Sequence, residues 1–199
     1  MKVTGRNTRR RGDILTESIY NATIELIKKV GYHNLTFQQI ANAAETSRTV
    51  LYRRWKTTYD LIREIIEYKV TNVLGGPLID KIEDTGSLRG DLMHLLSLYQ
   101  SLYVEVDHEI MNAILFEMGQ NKDKISEIEI NATNKNILVM RKLLQFAKNR
   151  GEKIKEVSDA TLTLPFDLIR VENILRKDGI DTKRLELLVD EILLPVFLA

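Results

Sequence analysis

"TFQQIANAAETSRTVLYRRW", Thr36 to Trp55, is the stretch whose reading decides the fold. Thr36 is a natural N-cap, and Gln39 three residues on completes a capping box for a short helix over Phe37–Ala44. Ile40 and Ala41 face inward, Ala44 is small enough for close approach, and Glu45-Thr46 makes a turn. Ser47 then caps a second short helix that runs to about Arg54. At about 100° per residue, Val50, Leu51 and Trp55 form its buried side, while Arg48, Thr49, Tyr52 and Arg53 fall on the opposite face. Two short helices joined by a tight turn are a helix-turn-helix, and its second helix enters the major groove of DNA. The outward face has the chemistry for that groove. Arg pairs with guanine, Thr meets a base edge or thymine methyl, and the Tyr hydroxyl meets phosphate. Arg54 lies on the inner sector, where it must either reach out to a phosphate or brace the core. Thr36, Phe37, Thr46 and Ser47, at the two helix entries, complete the candidate DNA-binding set from this stretch. Trp55 reads as packing.

The charge distribution agrees with a polyanion partner at one end. The net charge of +1 conceals a basic head, since residues 1–56 carry eleven Lys/Arg against four Asp/Glu. The remainder holds eighteen against twenty-four, a balance of −6, and such an asymmetry points the head alone at nucleic acid. Hydrophobic content of 44% and charged content of 29% over 199 residues describe an ordinary globular protein with a sizeable core. The absence of Cys excludes disulfides, thiolate metal sites and cysteine nucleophiles. Three prolines and ten glycines favour helices over a turn-rich β fold. No apolar run approaches the ~18 residues of a membrane span, and the charged N-terminus is unlike a signal peptide. A cytoplasmic protein with no membrane partner is expected.

Periodicity reads as helix nearly throughout. Ile19, Ala22, Thr23, Leu26 and Ile27 make a stripe on a helix over Asp13–Val30 that Gly31 stops. Thr57 or Thr58 opens a longer helix with Leu61, Ile62, Ile65 and Ile66 at helical spacing, against which the short helices should lean. "GGP" and "EDTGS" bracket a loop before Ser87 starts a helix to about Val104 that is apolar on several sides, as a central helix is. Asp107 can cap the next, to about Gln120, and a long helix follows to Arg150. Two C-terminal helices, Ser158–Lys177 and Asp181–Phe197, complete an all-α chain of about nine helices, with Pro165 kinking the first of the pair. The domains divide as a flexible basic arm over 1–12, a three-helix DNA-binding domain over 13–58 and a larger helical domain over 59–199. Arg9, Arg10 and Arg11 in the arm could reach a minor groove or the backbone.

The stretch from Ala22 to Leu61 resembles the DNA-binding domain of the tetracycline-repressor (TetR) family of bacterial transcriptional regulators. Gly31, Tyr32, Thr36, Ile40, Ala41, Ser47, Leu51, Tyr52, Trp55 and Leu61 carry the likeness, joining spacing, caps and core in one order. Two positions depart from the pattern. Glu45 stands where the family turn carries Gly, a cost of roughly 1 kcal/mol if the backbone is left-handed there. Thr58 stands where the family has a phosphate-binding Lys, leaving a hydroxyl and a helix N-terminus for the contact. The resemblance implies an effector-binding and dimerisation domain after about Tyr59, with the last two helices of each subunit forming a four-helix dimer interface. Leu185, Leu188, Val189, Ile192, Leu193 and Val196 supply one apolar stripe for it, and Leu162, Phe166, Ile169, Val171 and Leu175 the other. A pocket belongs among the middle helices, where Met93, Leu96, Tyr99, Gln100, Tyr103, Met111, Phe116, Met118, Met140 and Phe166 are the candidates. Met and aromatics at helical spacing are more often core, but Tyr99 and Tyr103 stand one turn apart with hydroxyls to place. The implied partners are a double-stranded DNA operator, a second copy of the chain and a largely apolar small-molecule effector, with no cofactor.

The rival reading is a helical metal enzyme or small-molecule carrier with an incidental basic head. Glu105 and His108 have the Glu-x-x-His spacing of di-iron bundles, loosely echoed by Asp91 and His94, and Glu64 and Glu117 could be invoked as partners. With three histidines and no convincing catalytic order or phosphate loop, no enzyme is expected.

Overall fold

A computed structural model describes residues 5–106, 110, 111, 113, 122–176 and 179–199, with side chains outside 5–11 and 122–131. The described residues form helices and turns, with one isolated antiparallel bridge between Ile154 and Leu198. The chain divides into two compact units, Met1–Tyr68 with Glu109–Glu117, and Lys69–His108 with Met118–Ala199. No helix among the described residues is long and apolar enough to cross a membrane.

The first unit begins with α1, Gly5–Val30. Its backbone is already helical at Gly5, ahead of the Asp13 start expected from the sequence. Nothing between Gly5 and Asp13 is a proline, and arginines are good helix formers, so the helix nucleated by the buried segment propagates outward. Ile19, Tyr20, Thr23 and Ile27 are its buried face, with the Thr23 hydroxyl spent on the Ile19 carbonyl at 2.7 Å. Gly31, at φ 75°, turns the chain out of α1, and its N–H closes on the Ile27 carbonyl at 2.9 Å. Helices α2 (Phe37–Ala43), α3 (Arg48–Arg54) and α4 (Thr58–Leu74) follow. Thr57 is the residue that opens α4: its Oγ1 accepts from the Asp60 N–H at 3.1 Å while Asp60 Oδ2 accepts from the Thr57 N–H at 3.0 Å. Ile40, Ala41, Ala44, Leu51, Trp55, Leu61, Ile62 and Ile65 are buried, and the end of α3 is tied to α4 where Trp55 Nε1 donates to Glu64 Oε2 at 2.8 Å. Each large side chain removed from water there contributes about 1.5–3 kcal/mol.

The second unit is organised on α5, Leu88–Val106, which packs against the helices over Lys122–Asn149, Leu164–Leu175 and Thr182–Leu187. Leu88, Leu92, Leu95, Leu96, Leu102, Tyr103 and Val106 are buried on several of its sides. Ser87 caps it, its Oγ accepting from the Gly90 N–H at 3.1 Å. Near that end a fully buried carboxylate, Asp91, accepts from Thr85 N–H and Oγ1 at 2.8 and 2.7 Å and from Arg150 Nη2 at 2.7 Å. Arg150, just past α6 (Lys122–Asn149), also holds Asp84 and Glu152, and the Glu152 carboxylate accepts from the Leu88 N–H at 3.1 Å. A buried ion pair survives only when its remaining lone pairs and protons are matched, as they are across this junction.

The C-terminal helices differ from the expectation in two respects. In place of one kinked helix over Ser158–Lys177 there are two, α7 (Asp159–Leu162) and α8 (Leu164–Leu175), with Pro165 in the first turn of α8. A first-turn proline loses no hydrogen bond, so a break at Thr163 costs less than a kink with a crowded carbonyl. The last segment runs as α9 (Thr182–Leu187), a π turn over Leu188–Leu193 and α10 (Leu194–Phe197). The π turn comes immediately ahead of Pro195, whose ring would crowd the Glu191 carbonyl in an unbroken α-helix.

The apolar stripes on these helices face inward. Leu162, Phe166, Ile169, Leu185, Leu188, Val189 and Leu193 are buried within their own chain, while Val171, Leu175 and Ile192 of the expected stripes are exposed. A 3.6-residue period reveals that a face is covered, not by which chain. The apolar side chains left in water on these helices are Val171, Ile174, Leu175, Leu187 and Ile192.

Candidate nucleic-acid interface

The candidate surface on α3 is built by caps and a turn. Thr36 Oγ1 accepts from the Gln39 N–H at 3.3 Å while Gln39 Oε1 accepts from the Thr36 N–H at 2.8 Å, a complete capping box on α2. Ser47 Oγ accepts from the Val50 N–H at 3.3 Å and so starts α3. Between them the Thr46 N–H reaches back to the Ala41 carbonyl at 2.9 Å, and Glu45 takes φ 51°. It is the one non-glycine in the left-handed region among the described residues.

On α3, Leu51 and the following Trp55 are buried, while Arg48, Thr49, Tyr52 and Arg53 stand in water. Tyr52 is 59% exposed, yet its ring is not free: Phe37, buried at the start of α2, meets it edge-on with centroids 4.9 Å apart. Phe37 thereby aims Tyr52 and is itself withdrawn from solvent. Thr36 and Ser47 are exposed but spend their side chains on caps, Thr46 is half-buried, and Thr58 is the half-buried first residue of α4.

Arg54 takes the bracing role. Its Nη1 donates to Thr16 Oγ1 at 2.6 Å, its Nη2 to Glu64 Oε1 at 3.1 Å, and its guanidinium lies 4.3 Å over the Trp55 ring. Glu64 also accepts from the Tyr20 hydroxyl at 2.6 Å and from Trp55 Nε1 at 2.8 Å. Burial, then the Glu64 carboxylate, pushes the Tyr20 phenol well above its ordinary pKa, so it remains a donor. Glu64, a candidate metal ligand on the sequence alone, thus belongs to this end of α3, a connection that sequence reasoning missed. The signal was available in outline, because a buried Trp N–H needs an acceptor.

In the second unit, Tyr99 and Tyr103 meet edge-on at 5.7 Å, and Tyr99 meets Phe166 of α8 at 5.0 Å. Leu96, Met140 and Phe166 are fully covered, and Met93 is half-buried. Gln100 is committed to Asn173 through a reciprocal pair of amide bonds at 3.2 and 2.7 Å. Sequence reasoning also missed Arg170, whose Nη1 donates to Asp167 Oδ1 at 2.7 Å. Burial pulls its guanidinium down, but Tyr99, Tyr103 and Asp167 outweigh that and hold its pKa above the ordinary value. Burial and Tyr99 likewise push the Tyr103 phenol up. Met111 belongs to the first unit, while Phe116 and Met118 lie outside the described residues. An open groove lined by Ala22, Glu25, Leu26, Lys28, Lys29 and Ala43 lies on the first unit.

The metal constellation does not assemble among the described residues, where no group of three His, Asp or Glu could hold an ion. Asp91 and Glu64 are occupied as above, and His94 Nε2 lies 2.9 Å from the Lys81 carbonyl. His108 and Glu117 lie outside the described residues.

Comparison with known proteins agrees with this geometry. Residues 19–65 match the profile of bacterial regulatory proteins of the tetR family, and residues 82–192 match that of the tetracyclin repressor-like C-terminal domain. The chain is 25% identical to the uncharacterized HTH-type transcriptional regulator Mb1581 of Mycobacterium bovis, over 87% of this chain and 83% of the relative. Among solved structures, the transcriptional regulator FadR from Bacillus subtilis in complex with stearoyl-CoA superposes with a TM-score of 0.66 at 21% identity, covering 88% of this chain and 98% of that one. The fatty acid degradation regulator FadR from Bacillus halodurans gives 0.65 at 17% identity, covering 87% and 93%.

Proposed function

The chain belongs to the TetR family of bacterial regulatory proteins and is a DNA-binding transcriptional regulator, and from that premise we propose that it is a repressor that binds a palindromic operator as a homodimer and is released by a small ligand. The observation that carries this reading is the outward face of α3, where Arg48, Thr49, Tyr52 and Arg53 are exposed on a helix held by the Ser47 cap and the Leu51 and Trp55 core. Arg48 and Thr49 read base edges, Tyr52 contacts phosphate, and Arg53 adds charge at the groove.

Residues 13–58 carry the DNA reading and 59–199 the effector and dimerisation functions. The second copy docks on the face bearing Val171, Ile174, Leu175, Leu187 and Ile192, because these are the apolar residues of the last helices that their own chain leaves uncovered. The effector site forms around Tyr99, Tyr103 and Phe166, with Leu96, Met93 and Met140 as the apolar surroundings. Arg170 beside two phenols favours an amphiphile with an acidic end over a purely apolar molecule. The structural neighbour that holds stearoyl-CoA supports that class. Helix α4 is the shared element: Glu64 anchors it in the first unit, and Lys69 donates to the Glu105 carbonyl at 2.7 Å in the second.

Selection of duplexes from a random-sequence library by the full chain tests the reading. A pseudo-palindrome with half-sites about one helical turn, roughly 34–36 Å, apart is the expected product. Enrichment of no sequence, or of a single unrepeated half-site, would overturn it.

A further inference from the structure

The last turn of α3 is fastened to α4 through one carboxylate. Three donors converge on Glu64: the Tyr20 hydroxyl at 2.6 Å and Arg54 Nη2 at 3.1 Å on Oε1, and Trp55 Nε1 at 2.8 Å on Oε2. Arg54 and Trp55 are the final residue and the C-cap of α3. A helix of 7 residues cannot hold its own direction and takes it from whatever its ends are tied to. The entry is tied by the Thr46 N–H on the Ala41 carbonyl, and the exit by Glu64. The same carboxylate decides where the Arg54 charge goes. With one nitrogen on Thr16, another on Glu64 and the guanidinium plane against Trp55, this cation points into its own unit, unlike Arg48 and Arg53.

We propose that Glu64 is the positioning residue of the recognition helix: it sets the pose of α3 through Trp55 and Arg54, and it withholds the Arg54 charge from DNA phosphate. The proposal rests on the DNA-binding reading and deepens it, because selectivity then depends on a residue that touches no DNA. An amide cannot replace the carboxylate. Gln offers one acceptor atom and one donor atom where three donors converge, so at least one buried donor is left facing another. With Glu64 neutralised, Arg54 is free to find a phosphate, which adds affinity for any sequence while the loosened helix loses its preference.

The test uses full-length protein and two duplexes, one enriched by the wild type from a random library and one scrambled. Affinities are measured across a salt series, with thermal unfolding and circular dichroism as controls. Glu64→Gln is expected to retain its helix content, to lose about tenfold of its preference for the enriched duplex, the size of one good base contact, and to steepen the salt dependence on scrambled DNA by about one per subunit. Adding Arg54→Met to Glu64→Gln should return the salt slope to the wild-type value. Equal weakening on both duplexes at an unchanged slope would reduce Glu64 to a stability role and overturn the proposal. Arg54→Met alone decides the point even if Glu64→Gln does not fold. It should leave the salt slope on scrambled DNA unchanged, and a slope lower by about one per subunit would mean that Arg54 already touches phosphate, overturning the proposal. A wild type that enriches no duplex would bring down the DNA-binding reading itself, and this inference with it.

Discussion

Glu45 shows what a single residue stores in this fold. Its φ of 51° lies in the region that costs an L-residue about 1–2 kcal/mol, at an exposed turn with no cavity to fill. Glu45→Gly removes that strain and returns part of it as unfolded-chain entropy, so a net gain of roughly 0.5–1 kcal/mol is expected in urea unfolding. A loss of stability would show that the Glu45 side chain contributes more than the strain takes. The residues proposed to face DNA separate by kind of contact. Arg48→Ala should relax sequence preference by ~1–3 kcal/mol, whereas Tyr52→Phe should weaken enriched and random duplexes alike. Relative affinities that survive Arg48→Ala would remove it as a base reader. The capping pairs behind this surface were legible in the sequence because Thr36–Gln39 and Ser47–Val50 are local, three residues apart. The Arg54–Glu64–Tyr20 convergence was not, since it joins three elements whose relative rotation no periodicity reports.

Elements in the second unit are joined by polar pins as much as by the apolar core. Glu172 on α8 accepts from Arg184 of α9 at 2.6 and 3.0 Å and from Arg176 at 2.5 Å. These partners, Arg184 first, hold its carboxyl below the ordinary glutamate range. A depressed carboxyl contributes stability that is complete above the unfolded value, near 4.3, and that disappears as the pH falls through the lower folded value. Glu172→Gln should therefore cost about 1 kcal/mol in denaturant unfolding at neutral pH, and that deficit should shrink toward zero well below pH 4. A deficit that persisted in acid would mean that Glu172 acts through packing and not through charge. Helix positions were legible in the pattern of apolar residues, whereas breaks were only partly so. Pro165 announces an interruption in the sequence, but the choice of a first-turn start over a kink rests on Thr163, whose hydroxyl is bonded to the Ala160 carbonyl and Asp167, which the apolar period does not report.

At the scale of the whole molecule, the burial pattern narrows the proposed contact between two copies to the side chains that each chain leaves in water. Leu188 is interior to its own chain, so Leu188→Arg buries an unpaired charge and should unfold the second unit rather than divide a dimer. Ile174→Arg with Leu175→Arg places charge on side chains that the chain leaves at 47% and 76% exposure, and such a protein should fold. Its thermal midpoint should match the wild type at low concentration, its sedimentation should report a monomer, and its operator affinity should collapse because two recognition helices are no longer held one turn of DNA apart. A variant that stayed dimeric would place the interface on another face. The proposed dimer also constrains the proposed switch. A ligand that loosens operator binding must favour the DNA-incompatible arrangement, and operator DNA must then weaken the ligand by the same factor, typically 5–150-fold for a coupling of ~1–3 kcal/mol. Because that coupling requires both recognition helices to be held to one operator, the monomeric variant should bind an acidic amphiphile, such as a long-chain acyl thioester, with an affinity indifferent to added operator. The dimer's affinity for the same probe should fall when operator is present. Calorimetric titration of both proteins, with and without the enriched duplex, decides it. Equal ligand affinity in the dimer under both conditions would show that this molecule is no inducer, however tightly it binds.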